Sequence, residues 1–455
     1  MVRKRKNLPK KCSTKGYTGG DDEDRISELP DDILVVILSL LSVKEAASTS
    51  ILCSRWINLW KHTNSLDFDG DAALYKTARL KKELQFNERR KYVRWVNSII
   101  QSHKSHTIQK LRIQFFLRKE EADTLTKWFE YAFSRQVPSL EIDLSPPNFI
   151  FFGSPGPNYV FPQEFTNSAT CFDLKHLKAL SLKFVTVTRE AIEFFLNNCP
   201  FLEKFIVHHT KSMSKLEICG SSLALKHLEL CYFFGLDSVR ISAPNLTSLT
   251  IRVFSELILE NVPMLDELRV GCGYSDFSVK KLLPAYSACI SQLKSLTLIL
   301  NNLKGSTDLC KFPEMPKLKK LVIAYCSVGE DSLLPLTSLI RASTRLQEFV
   351  LKLDWYQLSR SDREIETSVR FPHEYLKVVK FFGYYGRSSD YEFVRYFIDN
   401  CVVLERLIID PHCVPYAPHD PITPTKLAKE VTAMECTKRQ LESQVPAHIE
   451  LVIIP

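Results

Sequence analysis

Cysteine and histidine are the side chains of this sequence that could bind a metal ion or act as nucleophiles, yet their spacing fits neither role. The 13 cysteines include no pair at C-x-x-C spacing, the spacing typical of structural zinc sites. His412, Cys413 and His419 stand close together, but their segment supplies no fourth ligand. We therefore predict no metal site and no cofactor.

Motifs that bring catalytic groups together are also missing. The sequence has no P-loop, no dinucleotide-binding glycine pattern, no G-x-S-x-G and no H-E-x-x-H. Cys199 precedes a proline at the end of a helical pattern, where we expect burial rather than nucleophilic use. His208 and His209 follow a strand pattern, and we expect them to form a surface pair. With no catalytic candidate, the sequence predicts a binding protein and not an enzyme.

Length and composition restrict the possible architectures and cellular compartments. The 455 residues exceed what one compact core usually holds, which predicts several domains or one elongated repeat domain. The longest apolar run, Ile33 to Leu38, is far shorter than the roughly 20 residues of a membrane-spanning helix, so no membrane partner is expected. Scattered cysteines without a signal peptide indicate reduced thiols, and hence the nucleus, the cytoplasm or both.

Much of the net charge of +8 lies in two segments. Residues 1–23 form a basic and then acidic tail that we predict to be disordered, and its basic part is either a nuclear localisation signal or simply solvated. The second segment, Lys76 to Arg94, has aromatic residues among its basic ones. We interpret it as the solvated face of a helix, within a helical linker over 66–107, and expect no nucleic-acid partner.

Residues 24–65 carry more apolar surface than so small a unit can hide. Pro30 followed by two aspartates is a favourable helix start, because carboxylates stabilise the first turn. The helix after them is apolar on several faces, and the unit ends with Trp56 and Trp60, which we expect to be exposed. The surplus predicts a partner surface, although burial against the chain's own next domain is the alternative.

This unit resembles the plant-type F-box, whose three helices dock on a Skp-type adaptor that bridges to a cullin. The matching segments are Asp24 to Leu34, Ile37 to Leu41, Lys44, Thr49-Ser50, Arg55-Trp56 and Leu59-Trp60. Glu45 and Cys53 depart from the usual Asp and Ser without removing an apolar anchor. The adaptor contacts or their direct support that the resemblance implies are Leu29, Pro30, Ile33, Leu34, Ile37, Leu38, Leu52, Trp56 and Trp60.

From residue 108 onward a six-residue pattern recurs, with apolar residues at its first, fourth and sixth positions. Its occurrences begin at Ile108, Val137, Leu177, Leu202, Leu225, Leu246, Leu265, Leu293, Leu318, Leu346, Leu376 and Leu404. The spacing is typical of leucine-rich repeats, and the alternating end of each pattern predicts a short strand. Because such repeats bury their apolar faces by stacking, we predict an α/β fold in which a leucine-rich-repeat solenoid over 108–370 carries a parallel concave sheet and irregular convex helices.

The intervals between the patterns predict the convex side. Helical patterns occupy 124–133, 188–197, 331–340 and 391–400. The short intervals between Leu228 and Val270 leave room only for turns. The interval 143–176 is long and rich in proline and aromatic residues, and is either a substrate-contacting loop or a plug packed against the solenoid.

Residues 371–455 resemble the FBD module that ends many plant F-box/leucine-rich-repeat proteins. The resemblance rests on Phe371-Pro372-His373, on Val403-Leu404-Glu405 and on the ending His448 to Ile453, which predicts a last strand. We expect this region to cap the solenoid, since an open terminal repeat would expose its core.

The order of F-box, repeats and FBD-like end implies the substrate-recognition subunit of a Skp–cullin–F-box (SCF) ubiquitin ligase. The F-box would bind the adaptor, and the repeats would bind a target protein that the sequence does not identify. Two alternatives are left open. One is a repeat scaffold whose F-box is only an N-terminal cap, and the other is a small-molecule co-receptor. The sequence assigns no target-binding residue.

Overall fold

Parallel strands stacked along the chain dominate the structure, a computed structural model. It describes residues 25–70, 73, 80–146, 158–166, 172–210, 213–233, 235–253, 256–272, 287–300, 312–327, 332–355, 370–412 and 424–455. The predicted tail 1–23 lies outside the described residues. None of the helices within these ranges is both long and apolar enough to cross a membrane.

The strands within the described ranges are short, most of them five residues. They are β1 Ser65–Asp69, β2 Lys110–Gln114, β3 Ser139–Asp143, β4 Tyr159–Val160, β5 Ala179–Lys183, β6 Val185–Thr186, β7 Lys204–His208, β8 Lys215–Cys219, β9 His227–Cys231, β10 Ser238–Ser242, β11 Ser248–Val253, β12 Glu256–Glu260, β13 Glu267–Cys272, β14 Ser295–Leu300, β15 Lys320–Ser327, β16 Glu348–Trp355, β17 Val378–Phe382, β18 Arg406–Asp410 and β19 Glu450–Ile453.

The helices lie between the strands. They are α1 Asp31–Leu38, α2 Val43–Ser48, α3 Lys82–Ser102, α4 Ala122–Ser134, α5 Arg189–Asn198, α6 Thr337–Arg341, α7 Ser388–Asn400 and α8 Pro424–Leu441. The described residues also form short 3-10 helices at Thr49–Ile51, Trp56–His62, Lys119–Glu121, Gln163–Thr166 and Leu334–Leu336.

One 14-stranded sheet runs in the order β1-β2-β3-β5-β7-β9-β11-β13-β14-β15-β16-β17-β18-β19. Every pairing in it is parallel and in register with the repeat pattern, so that Leu111 lies opposite Leu140 and Leu140 opposite Leu180. These inward side chains stack into one continuous core. All twelve predicted strands belong to this sheet, which confirms the α/β leucine-rich-repeat solenoid, and the predicted last strand is β19.

The predicted linker over 66–107 joins this sheet. β1 pairs with β2, Leu66 lies opposite Leu111, and both Leu66 and Phe68 are fully buried. α3 occupies the interval between the two strands, as a helix does within a repeat. The segment is therefore the first repeat of the array. The alternation Leu66-x-Phe68 is too short to stand out in the sequence.

The convex side differs from the prediction in its middle part. α4, α5 and α7 lie where helical patterns were found, and the shorter α6 overlaps the end of the pattern at 331–340. Between Leu228 and Val270, however, the predicted turns are the strands β10 and β12, which form a second parallel sheet with β8 from the preceding interval. Their alternating residues, such as Val239 and Ile241, are fully buried. An extended segment covers the core of a short repeat and pairs its backbone with the next repeat, which an unpaired turn would not do.

The described part of the 143–176 insertion is packed as a plug. β4 pairs with β6, and Phe161 and Phe165 are buried. The ring of Phe161 lies 5.2 Å from that of Phe129, and the ring of Phe165 lies 5.7 Å from that of Phe133, so that the plug covers α4. Residues 147–157 and 167–171 of the insertion lie outside the described residues.

The N-terminal unit has a small core of its own and a firm junction with the solenoid. Leu34, Leu38 and Trp56 pack with Ala46 and Leu59, and the third helix of the unit is the 3-10 helix Trp56–His62. At the junction, Val43 belongs to the solenoid core and Trp60 packs against both cores. His103 Nε2 lies 2.8 Å from Thr63 O, and Lys104 N donates to Lys61 O at 2.8 Å. The unit therefore covers one end of the array.

Candidate protein-interaction surfaces

α1 divides its apolar residues between two faces. Leu34 and Leu38, four residues apart, are buried in the core of the unit. Ile33 and Ile37, with Leu40 two residues beyond the end of the helix, lie at helical spacing on a neighbouring side and are exposed. A helix whose outer face is apolar in water needs a second surface to cover it.

The outer face continues beyond α1. The large apolar side chains of the unit that are between 37% and 88% exposed are Ile26, Ile33, Val36, Ile37, Leu40, Ile51, Leu52 and Ile57. Ser50 Oγ donates to Ile57 O at 3.4 Å, which holds the two 3-10 helices side by side. We call this set the outer apolar face. Soluble proteins rarely leave so much large apolar surface uncovered on so short a segment.

The residues predicted to bind the adaptor fall into three groups. Pro30, Ile33, Ile37 and Leu52 are exposed. Leu29 and Trp60 are half-buried against the core of the unit. Leu34, Leu38 and Trp56 are buried within it, so that they support the surface from below. The expectation that Trp56 is exposed is therefore wrong, because its ring fills the space between α1 and the second 3-10 helix.

Five members of the outer apolar face are not among the residues that the sequence predicted to bind the adaptor: Ile26, Val36, Leu40, Ile51 and Ile57. Leu40 and Ile51 are the most exposed of all eight, at 83% and 88%. Their apolar character was visible in the sequence. Which side they occupy was not, because a helix that is apolar all round gives no direction.

Arg55 fixes the segment that leads into α1. Its guanidinium donates to the backbone oxygens of Ser27 and Leu29, and its Nε lies 2.8 Å from Asp31 Oδ1. Trp56 Nε1 adds a hydrogen bond of 3.0 Å to Ser27 Oγ. Charged donors to backbone oxygens are among the stronger hydrogen bonds of proteins. Arg55 and Trp56 thus position Leu29 and Pro30 at the edge of the outer apolar face.

Glu45, one of the departures from the usual F-box pattern, caps α2. Ser42 N and Ser42 Oγ donate to Glu45 Oε2 at 3.0 and 2.8 Å, and Glu45 N donates to Ser42 Oγ at 3.3 Å. The hydrogen bonds from Ser42 lower the pKa of Glu45. This reciprocal arrangement is a capping box, which a glutamate completes well.

The concave face of the solenoid is the second candidate surface, and its N-terminal part is held by ion pairs that cross strands. Arg112 NH1 lies 3.1 Å from Asp67 Oδ1, and Arg112 Nε lies 3.6 Å from Glu141 Oε2. Lys183 Nζ lies 3.8 Å from Glu141 Oε1 and 3.2 Å from Asp143 Oδ2. The chain of pairs spans β1, β2, β3 and β5. The result is a polar, charge-patterned surface at this end of the groove.

Towards the C-terminus the concave face becomes basic. Glu348 on β16 lies 3.0 Å from Lys320 Nζ on one side and 2.8 Å from Lys380 Nζ on the other. Arg269 and Lys352 add exposed positive charges on β13 and β16. A groove with two electrostatic ends can orient a protein partner.

The side chains suspected of chemistry are mostly structural. Cys199 is buried as expected, and burial raises the pKa of its thiol to about 12. His412 Nδ1 lies 2.7 Å from Asp410 Oδ1, whereas Cys413 and His419 lie outside the described residues. The expected surface pair is wrong for His209, which is 4% exposed because its ring stacks between Phe184 and Tyr232.

Comparison with protein families matches nearly the whole described chain. The family model described as "At1g61320/AtMIF1, LRR domain" covers residues 99–455, and the F-box domain model covers residues 26–68. The F-box match contains the outer apolar face, and the larger match contains the solenoid from the end of α3 onward.

Relatives from Arabidopsis thaliana carry the names of the same modules. The chain is 27% identical over 420 residues to the F-box/FBD/LRR-repeat protein At5g53840, covering 87% of this chain and 90% of the relative. It is 24% identical over 439 residues to the F-box/FBD/LRR-repeat protein At5g22660, covering 88% and 93%. It is 26% identical over 423 residues to the putative FBD-associated F-box protein At5g56440, covering 85% and 92%. The names of these relatives support an FBD-like C-terminal region here.

Proposed function

The chain belongs to the family of At1g61320/AtMIF1 LRR-domain proteins and carries an F-box, and from this premise we propose that it is the substrate-recognition subunit of an SCF-type ubiquitin ligase. In this role the F-box binds a Skp-type adaptor, and through it a cullin. The solenoid binds a target protein. The chain itself supplies proximity and orientation rather than catalysis.

The outer apolar face is the observation that carries the proposal. The N-terminal unit covers the end of the solenoid with Val43 and Trp60, while eight large apolar side chains of the same unit are exposed. A unit that served only as a cap would bury its apolar surface against the rest of the chain. Capping and docking therefore use different residues of the same unit, which favours the adaptor role over the cap alone.

We assign the adaptor contact to the exposed residues. Pro30, Ile33, Ile37 and Leu52 are the exposed residues among those that the sequence predicted. The remaining residues of the outer apolar face extend this contact surface. Leu29 and Trp60 contribute their exposed edges. Leu34, Leu38 and Trp56 act indirectly, because they hold α1 and the second 3-10 helix in place.

The concave face is the surface we assign to the target protein. Its N-terminal part, with paired charges of both signs, and its basic C-terminal part both lie on strands of the sheet. A fixed charge pattern favours one orientation of a bound partner. The cysteines whose side chains are described are free thiols, in keeping with a reducing compartment such as the cytoplasm or nucleus; they are Cys53, Cys199, Cys219, Cys231, Cys289, Cys401 and Cys436.

The test is adaptor binding by the full-length chain with two charges placed in the outer apolar face. Ile33→Glu combined with Leu52→Glu is expected to weaken binding of a plant Skp-type adaptor at least 100-fold, because both carboxylates would have to leave water in the complex. Isothermal titration measures the affinity, and recovery of a cullin on the immobilised chain should fall in parallel.

Val402→Glu is the matched control, because Val402 is 69% exposed and lies just before β18 at the other end of the chain. It should bind adaptor like the wild type. Circular dichroism establishes that all variants are folded. Wild-type adaptor affinity in the folded double variant would refute the proposal.

A further inference from the structure

Three side chains with metal-ligating chemistry meet on the concave face where β7 and β9 pair. They are His208, Glu229 and Cys231, whose ligand atoms all lie within 4.8 Å of one another. His208 and Cys231 are directly opposite in the parallel register, and Glu229 precedes Cys231 by two residues on the same face of its strand. The backbone of two adjacent repeats therefore brings the cluster together.

The separations suit a small tetrahedral ion. His208 Nε2 lies 3.0 Å from Glu229 Oε1. Zinc bonds of about 2.0–2.3 Å place the ligand atoms of a tetrahedron roughly 3.5 Å apart. Modest side-chain rotation thus brings the three atoms to bonding distance. An imidazole, a carboxylate and a thiolate together favour zinc over magnesium or calcium, which prefer oxygen ligands.

We propose that His208, Glu229 and Cys231 bind one zinc ion on the concave face of the solenoid. The carboxylate and the thiolate offset the charge of the ion. Three protein ligands leave a fourth position, which faces the groove and takes water or a side chain of a bound protein. The ion would give the target-binding surface a coordination site between its two electrostatic ends.

The surroundings hold the ligands in place. His227 Nε2 lies 3.7 Å from Glu229 Oε2, so that it orients the carboxylate from the side away from His208. Burial raises the pKa of the Glu229 carboxyl, but the two imidazoles outweigh it and keep the pKa well below its usual range. Glu229 is therefore an anion at neutral pH, as a metal ligand must be. Burial raises the pKa of the Cys231 thiol to about 12, so that zinc must displace its proton on binding.

An aromatic ladder fixes the strand ends behind the cluster. Phe184, His209 and Tyr232 each follow a strand directly and each have a positive φ, of 58°, 58° and 60°. Their rings stack at 3.9 and 4.2 Å, and Arg252 lies over the ring of Tyr232 at 4.6 Å. Burial lowers the pKa of His209 to about 2, so that this ring stays neutral inside the stack. The ladder makes the ends of β7 and β9 rigid, which favours a preorganised site.

The test uses the purified full-length chain, freed of metal with a chelator and titrated with Co²⁺ alone. One equivalent should produce a sulfur-to-cobalt charge-transfer band in the near ultraviolet together with the visible bands of tetrahedral Co²⁺. One equivalent of Zn²⁺ should then remove both. Cys231→Ser is expected to abolish the charge-transfer band, and Glu229→Gln to weaken Co²⁺ binding at least tenfold.

Cys219→Ser is the matched control, because it removes an exposed thiol on the convex β8. It should keep the band and the affinity of the wild type. Glu229→Gln preserves side-chain shape, so it serves as the deciding variant if Cys231→Ser does not fold. Absence of the band in the wild type, or a band that persists in folded Cys231→Ser, would overturn the proposal. Adaptor binding does not involve these residues, so the two proposals fail separately.

Discussion

At the scale of single residues, one buried ion pair stabilises the C-terminal part of the solenoid. Arg387 and Asp390 have fully buried side chains, and Arg387 NH2 lies 2.7 Å from Asp390 Oδ1. Asp390 Oδ2 also accepts hydrogen bonds from Tyr385 N and Arg387 N at 3.0 and 3.1 Å. The Asp390 carboxylate thus accepts hydrogen bonds from one guanidinium and from two backbone N–H groups at the start of α7. Removing one partner of such a pair leaves a buried charge to be compensated.

We expect Asp390→Ala to lower the free energy of unfolding by about 3–5 kcal/mol, because it removes the carboxylate from a buried guanidinium. Asp399→Ala in the same helix is the control, since the Arg395–Asp399 pair is 3.5 Å long and exposed. Its cost should stay below about 1 kcal/mol. Urea unfolding at one pH and salt concentration measures both. Equal effects would contradict the structural role of the buried pair.

At the scale of elements, the approach of β17 to β16 depends on a glycine. Gly383 follows β17 with φ of +84°, and its N donates to Asp410 O at 2.8 Å. A Cβ atom at this position would collide with the backbone oxygen of Leu353. Both the dihedral angle and the space exclude a larger side chain. The turn that leads from β17 towards α7 therefore requires glycine.

Gly383→Ala and Gly235→Ala separate these two requirements. Gly235 has φ of +88°, but a Cβ atom there would meet nothing within 4 Å, so alanine costs only the strain of the left-handed backbone, about 1 kcal/mol. Alanine at Gly383 must also displace β16. We therefore expect Gly383→Ala to lower the free energy of unfolding roughly two to three times as much as Gly235→Ala does. Thermal unfolding of the two variants tests the difference. A milder effect at Gly383 would show that β16 and β17 can move apart freely.

At the scale of the whole molecule, one core runs from the F-box junction to the last strand. Stacked repeats depend on their neighbours, so both ends of the array need a cover. The F-box covers the N-terminal end. At the other end β19 pairs with β18, and α8 is tied down by Tyr384 Oη, which donates to Gln440 Oε1 at 2.7 Å. Gln440 in turn donates to Gly386 O at 3.1 Å.

We expect removal of residues 442–455 to expose the edge of β18 and the apolar residues beneath Ile449, which is buried. The truncated chain should bind a hydrophobic dye strongly and elute as larger species in gel filtration. Arg406→Ala is the control, because it removes only the exposed ion pair of 2.7 Å between Arg406 and Glu450. A truncated chain that stays monomeric and binds no dye would show that β19 is dispensable as a cover.

The sequence by itself determined the repeat architecture and the kind of N-terminal unit. Strands that are buried on one side must place apolar residues at every second position, and this periodicity is visible without coordinates at each of the twelve patterns. The F-box pattern was equally visible, because its apolar residues and tryptophans occur at fixed spacing.

Only the tertiary structure decided which surfaces are open and which residues meet. Ile33 and Leu34 are equally apolar neighbours, yet one is exposed and the other buried, because the second 3-10 helix packs on one side of α1 only. The strands β10 and β12 replaced predicted turns, since their backbones pair across repeats. His208 and Cys231 are far apart along the chain, and only the register between two strands places them opposite each other. Local periodicity is a property of one segment, whereas exposure and juxtaposition depend on what a neighbouring segment covers.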